Sequence, residues 1–159
     1  MNAVKSKLNL LNRELGVLEF NRRVLALAQN PKTPLLERLK YVCIVSSNLD
    51  EFFEIRIAVL KEQLRKSPKS KTQDGLIVAE SYLHIVKETQ TLVSHKYKIF
   101  QKDILPKLER EGVHLHLENA WTPSQHRWAK NYFEKELSPL LTPIVLDPAH
   151  PFPKVINKS

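Results

Sequence analysis

Helical periodicity constrains this chain more than any other feature. Leu8, Leu11, Leu15, Leu18, Val24, Leu25 and Ala28 recur mostly three, four and seven residues apart, along one side of an α-helix. Leu35, Leu36, Leu39, Val42 and Cys43 repeat the pattern, as do Leu49, Phe52, Phe53, Ile57 and Leu60, and then Ile77, Leu83, Val86, Leu92, Val93 and Phe100. Only 3 Gly occur in 159 residues, which disfavours a turn-rich all-β fold. Stripes of this kind are buried most simply against one another, so the pattern predicts an antiparallel helical bundle.

Local signals set the expected boundaries. The first helix is predicted over 8–29, stopped by Asn30-Pro31. Gly16 in its middle marks a close contact or a bend. The second opens with Thr33 as N-cap and Pro34 in the first turn. Ser46-Ser47-Asn48 then end or kink it. Asn48 precedes Glu51 by three residues, the spacing of a capping box, so a third helix is predicted from Leu49 to about Lys66. Such a cap would present backbone N–H groups and the positive end of a helix dipole to an anion. A polar loop follows, and with the helix end it gathers Lys61, Arg65, Lys66, Lys69 and Lys71 into one basic cluster, a solvated helix end or a phosphate-steering patch. A long helix over 74–101 and a short one stopped by Glu111-Gly112 complete a helical domain over residues 1–112.

Composition changes after Gly112. Val113 to Leu117 alternates like a strand, Thr122-Pro123 starts a helix reaching about Leu137, and Leu141 to Leu146 reads as a second strand with Pro143 near its edge. One strand–helix–strand unit buries little by itself. Residues 113–159 are therefore expected to be the beginning of a second, incomplete domain. The fold class is mainly α: a bundle followed by a truncated strand–helix–strand piece of an α/β domain.

The chemistry is bounded more by charge than by motif. Net charge is +8 and the pI is about 9.6, which favours polyanionic partners. Hydrophobic content of 42% supports a core, and a mean hydropathy of −0.33 fits a soluble protein. No apolar run approaches the roughly 20 residues of a membrane span. The single cysteine, Cys43, excludes an internal disulfide; its apolar run predicts a buried, inert thiol in a reducing cytosolic compartment. No phosphate-binding glycine loop, dinucleotide glycine pattern or zinc-protease motif is present. His114 and His116 would share one strand face, but no third ligand accompanies them, and His150 lies in a proline-rich loop. Asp50, Glu51 and Glu54 form an acidic corner with Arg56 close by; acids in a first helical turn are expected from the dipole alone. Trp121, Trp128, Tyr132 and Phe133 suggest core or interface packing around the last helix.

Three blocks carry a family resemblance. Arg13-Glu14-Leu15 with Leu18-Glu19-Phe20-Asn21-Arg22-Arg23-Val24-Leu25, then Pro34-Leu35-Leu36-Glu37-Arg38-Leu39-Lys40, then Ser47-Asn48-Leu49-Asp50-Glu51-Phe52-Phe53-Glu54-Ile55-Arg56 resemble, in order and spacing, the start of the large bacterial polyphosphate kinases that work through a phosphohistidine. Leu141-Thr142-Pro143 and His150-Pro151-Phe152-Pro153 resemble the opening of that family's head domain. One departure is Glu14-Leu15-Gly16-Val17-Leu18, where the family usually has Glu-Leu-Ser-Trp-Leu.

The resemblance implies a cytoplasmic parent enzyme that moves the terminal phosphate of ATP reversibly onto polyphosphate with Mg²⁺, with membrane association of the parent complex left open. It implies that the helical domain forms one wall of the ATP/ADP site and that Asn48 contacts the nucleotide. The phosphorylated histidine and the phosphate- and Mg²⁺-binding groups would lie in later domains, so no residue here is assigned a catalytic or metal-binding role. The remaining domains of the enzyme and a homo-oligomeric partner are the implied macromolecular contacts, with no nucleic acid. The residues also allow a different class, a non-enzymatic basic helical module that binds nucleic acid or a protein partner.

Overall fold

The structure, a computed structural model, describes residues 11–72, 74–116, 120–146 and 151–152. Two compact units divide the chain, Met1–Val113 and His114–Ser159.

In the first unit α1 spans Arg13–Gln29, α2 Leu35–Glu51, α3 Ala58–Lys66, α4 Val78–Ile99 and α5 Leu105–Arg110. The buried positions give the reason for the packing. On α1 they are Leu18, Asn21, Leu25 and Ala28; on α2 Arg38, Val42, Val45 and Leu49; on α4 Val78, Ser81, Ile85, Thr89, Leu92, Lys96 and Ile99. These alternate three and four apart, so each helix turns one narrow stripe inward. Each fully buried Leu or Ile contributes on the order of 1.5–3 kcal/mol relative to exposure. The bundle expected from periodicity is therefore present. The inward phase of α4 differs from expectation, however: Leu83 is exposed, and Ser81, Thr89 and Lys96 take inward places.

The largest correction concerns Ser46–Asn48, where a helix end was expected. The helix runs on without a break: α2 passes through Asn48 to Glu51, a π-helical turn follows over Phe52–Ile57, and α3 continues from Ala58. Asn48 is not an N-cap, and its carbonyl accepts the N–H of Phe52. Glu51 is exposed. No exposed N–H groups remain at this point to greet an anion. The inward spacing explains the turn. Phe52 and Ile57 are both buried and stand five apart; an uninterrupted α-helix would have brought Arg56 inward instead. The wide turn absorbs one residue and keeps the charge out of the core.

Two further π turns have another local cause. In Phe100–Ile104 the N–H of Leu105 reaches the carbonyl of Phe100, and Pro106 comes next. In Phe133–Leu137 the N–H of Ser138 reaches Phe133, and Pro139 comes next. A proline lacks the donor for, and its ring crowds, the carbonyl four residues back. Opening the preceding turn relieves that clash without ending the helix.

Smaller boundary shifts follow from identifiable contacts. α1 starts at Arg13 because the side chain of Asn12 accepts the N–H of Leu15 at 3.0 Å. The predicted residues 8–10 lie outside the described residues. Gly16 is exposed, and a Cβ there would meet nothing within 4 Å, so no close approach explains it. Pro34, rather than Thr33, occupies the cap position of α2. α4 starts at Val78 rather than Asp74, because Gly75 adopts φ +87° and breaks helical geometry. The glycine stop of α5 holds: Gly112 at φ +78° sets a Schellman motif, with Val113 N–H on Leu108 O and Gly112 N–H on Glu109 O. Cys43, expected buried, is exposed, because it lies on the far side of α2 from Val42 and Val45.

The second unit contains α6, Pro123–Tyr132, its π turn, and a 3₁₀ turn over Ser138–Leu140. The predicted start is confirmed by a capping box between Thr122 and Gln125. The two flanking segments expected as strands pair with nothing among the described residues. A strand is defined by its hydrogen-bonded neighbour, and alternation alone supplies none. Leu117 lies outside the described residues. Trp121, Trp128, Tyr132 and Phe133 are not buried, since no second layer among the described residues of this unit covers them.

Candidate functional site

Asn21 and Asn48 meet between α1 and α2. Asn48 Nδ2 donates to Asn21 Oδ1 at 2.9 Å, and Asn21 Nδ2 donates to the Val17 carbonyl at 3.0 Å. Asn21 is fully buried. Its amide is thereby fixed, and it fixes Asn48 in turn. Asn48 is half-buried, and its Oδ1 has no protein partner among the described residues. No buried side-chain polar atom there lacks a partner, so this oxygen reaches solvent. The result is one oriented acceptor at the rim of a helix pair, held by a buried amide.

The neighbouring turn of α2 is braced from the other side. Ser46 Oγ donates to Val42 O at 3.1 Å and accepts from Lys96 Nζ at 2.8 Å. Lys96 is buried and also lies 4.6 Å from the Tyr97 ring centroid. At the start of α2, Arg38 is buried; its Nε donates to Ala28 O at 2.6 Å and its Nη2 pairs with Asp103. Lys107 also binds Asp103, and these two cations hold the carboxyl below its ordinary value against a burial effect that raises it. Asp74 is likewise lowered: burial raises it, but hydrogen bonds from Thr72, Asn12 and the backbone outweigh that effect. Helices α1, α2 and α4 are thus tied across their interfaces, which leaves the Asn48 rim on a rigid support.

The other sequence candidates do not join this site. Asp50 and Glu51 are exposed, Glu54 and Arg56 half-exposed on the π turn. Among the described residues no group of three or more His, Cys, Asp or Glu side chains converges on a metal position, so no step through Mg²⁺ is derived from this chain. His114 and His116 stack with ring centroids 6.2 Å apart; His150 lies outside the described residues. In the basic cluster, Glu62 is lowered by hydrogen bonds from Arg65 and then Lys66, leaving Lys61, Lys69 and Lys71 to solvent. Sequence reasoning missed the support given by Asn21. The signal was available: a polar residue in the inward stripe between Leu18 and Leu25.

Fold and site together describe an all-helical module that presents an amide at the edge of a rigid bundle. Comparison with known proteins sharpens this class. A family model described as the polyphosphate kinase N-terminal domain matches residues 10–116, and one described as the polyphosphate kinase middle domain matches residues 124–159. A polyphosphate kinase of Burkholderia multivorans is 54% identical over 150 residues, covering 94% of this chain and 22% of the relative. One of Paraburkholderia phytofirmans matches over the same share at 54%. The crystal structure of polyphosphate kinase from Porphyromonas gingivalis superposes with a TM-score of 0.68 at 29% identity, over 95% of this chain and 21% of that one. The chain belongs to the polyphosphate kinase family and corresponds to the N-terminal part of those enzymes. It spans 22% of the length of the curated relatives it matches. No helix among the described residues is long and apolar enough to cross a membrane.

Proposed function

We propose that this chain serves an ATP:polyphosphate phosphotransferase as one wall of its nucleotide site, with Asn48 as the contact to ATP or ADP. The single observation that carries the reading is the Asn21–Asn48 pair: a buried amide orients a half-buried one and leaves its oxygen acceptor open to solvent. Such an acceptor suits a neutral hydrogen-bond donor, such as the amino group of a nucleotide base. It does not suit a phosphate, which is acceptor-only when ionised. The wall reading therefore assigns the Asn48 oxygen to the base end of the nucleotide. Phosphate transfer, Mg²⁺ binding and the phosphohistidine of this cytoplasmic enzyme are assigned to domains that follow, as are the contacts of its homo-oligomer.

The test uses Asn48→Ala in the full-length enzyme carrying this segment. ATP affinity should fall while the melting temperature is nearly kept. Equal losses in both would mean that Asn48 only braces the bundle. The 159-residue chain by itself should make no polyphosphate from ATP, and turnover above background would reject the assignment of catalysis to later domains. Net charge of +8 supports a second reading, a nucleic-acid-binding module. That reading predicts tighter binding to RNA or DNA than to polyphosphate of equal charge, at the same salt.

A further inference from the structure

A concave surface lies at the C-terminal end of α4, remote from the acceptor of Asn48 in sequence and different in chemistry. It is a depression of about 290 Å³ lined by Gln29, His95, Lys98, Ile99, Lys102 and Asp103. His95 and Lys98 stand three apart on α4, and Lys102 joins them at the hollow from the turn that follows. Lys102 and Asp103 lie within the π turn Phe100–Ile104, which sets their direction. Gln29 Nε2 donates to His95 Nε2 at 3.2 Å and closes one side.

The charge balance of this depression is one-sided. Its only carboxylate, Asp103, is bound through one oxygen by Arg38 and through the other by Lys107. Lys98 and Lys102 have no acidic partner among the described residues, and both are exposed. Two uncommitted ammonium groups, an imidazole and a side-chain amide thus border one hollow. That is a donor-rich lining with its negative charge already neutralised.

We propose that this depression binds a linear phosphate anion, specifically a segment of inorganic polyphosphate, through Lys98 and Lys102. The choice of polyphosphate over other anions rests on the function proposed above; the anion preference rests on the lining alone. Two ammonium groups one turn apart suit successive phosphates of a chain, each carrying charge. The surface would retain the polymer while the nucleotide is handled elsewhere.

The experiment titrates the 159-residue chain with tripolyphosphate and, separately, with ATP, at several salt concentrations. Lys98→Ala with Lys102→Ala should weaken tripolyphosphate binding roughly tenfold and lower its salt slope by about 2. Lys98→Arg with Lys102→Arg should restore binding. Both lysines are exposed, so the circular dichroism melt should stay unchanged. Lys61→Ala with Lys69→Ala removes the same charge from a cluster near the other end of α4, about 30 Å of helix away, and should leave affinity nearly intact. Unchanged affinity in the Lys98/Lys102 variant, or an equal loss in the Lys61/Lys69 variant, overturns the site. So does ATP binding that depends on Lys98 and Lys102 as strongly as tripolyphosphate binding does. The reading of Asn48 fails separately, if Asn48→Ala leaves ATP affinity in the full-length enzyme unchanged.

Discussion

The two units of this chain form helices by different means. In the first unit fifteen apolar side chains among the described residues are buried together, from Leu18 on α1 to Leu108 on α5. In the second no described residue is buried, and α6 rests on local devices: the Thr122–Gln125 capping box, Pro123 in the first turn, and the stack of Trp128 on Tyr132 with centroids 5.3 Å apart. Yet both units contain the same turn, a phenylalanine opening a π turn six residues before a proline. In the first unit that turn carries the fully buried Ile104; in the second it ends in the exposed Leu137. The same local sequence gives the same backbone with or without a core around it. The core decides what the turn is used for.

The sharpest way to break this comparison is to remove a large side chain from each unit. Phe52 is buried at the start of the first π turn. Phe52→Ala should cost about 3–5 kcal/mol, through lost transfer energy and the cavity left behind. Trp128→Ala removes a larger side chain that is 67% exposed, and should change stability by less than about 0.5 kcal/mol. Urea denaturation followed by circular dichroism measures both. Equal losses would show that the second unit is held by burial after all.

This contrast also shows what the sequence could reveal. The bundle was legible because Leu18, Leu25, Val42, Leu49, Phe52 and Leu92 fall in stripes with a period that a buried helical face requires. The continuous helix through Asn48 was not, because Ser-Ser-Asn followed by Glu51 carries the same local signal whether it caps a helix or lies inside one. Tertiary contacts settle that choice: Asn48 satisfies Asn21, and Ser46 satisfies Lys96. The five-residue step from Phe52 to Ile57 was the overlooked clue to a π turn. The strands expected around α6 illustrate the reverse limit, since alternation in 113–117 and the apolar run in 141–146 suggest strands without naming a partner. Of the candidate site, Asn48 was reached through family resemblance, whereas its support by Asn21 required the structure.

The next effect tests polar ties within the buried unit. Arg38→Ala removes a buried guanidinium and frees the Ala28 carbonyl, and should cost about 2 kcal/mol, mostly through that lost hydrogen bond, because Asp103 is 39% exposed and keeps Lys107. The same pair predicts an acid response. The folded-state value of Asp103 lies below its unfolded value, so its contribution is complete above the unfolded value, about 3.9. It is lost as pH falls through the folded value. Asp103→Asn should therefore flatten the loss of stability below about pH 4. Asp74, shifted in the same direction, should retain its share of the acid response in that variant.

Asn21→Ala is expected to be smaller in stability and larger in consequence for the rim. Val17 O keeps its helical donor and Asn48 can turn to water, so about 1–2 kcal/mol is expected. ATP affinity of the full-length enzyme should fall with it, although Asn21 itself is fully buried. A stability loss with unchanged ATP affinity would separate the bundle from the site and remove the reason for the amide pair.

The smallest effect sharpens the comparison from the side of the second unit. Thr122→Ala removes the acceptor for the Gln125 N–H at 3.3 Å and one half of the capping box. A cap of this type contributes about 1 kcal/mol. In a unit held by burial, that loss would shift the whole unfolding transition. In a helix held by its own termini it should instead fray the first turn. Hydrogen exchange at Gln125 and His126, whose N–H groups bond to Thr122, should quicken by about fivefold, the kinetic equivalent of 1 kcal/mol, while the urea midpoint of the first unit stays where it was. A shift in that midpoint would mean that α6 and the bundle unfold as one cooperative body, and that the contrast between core-held and locally held helices does not divide the chain.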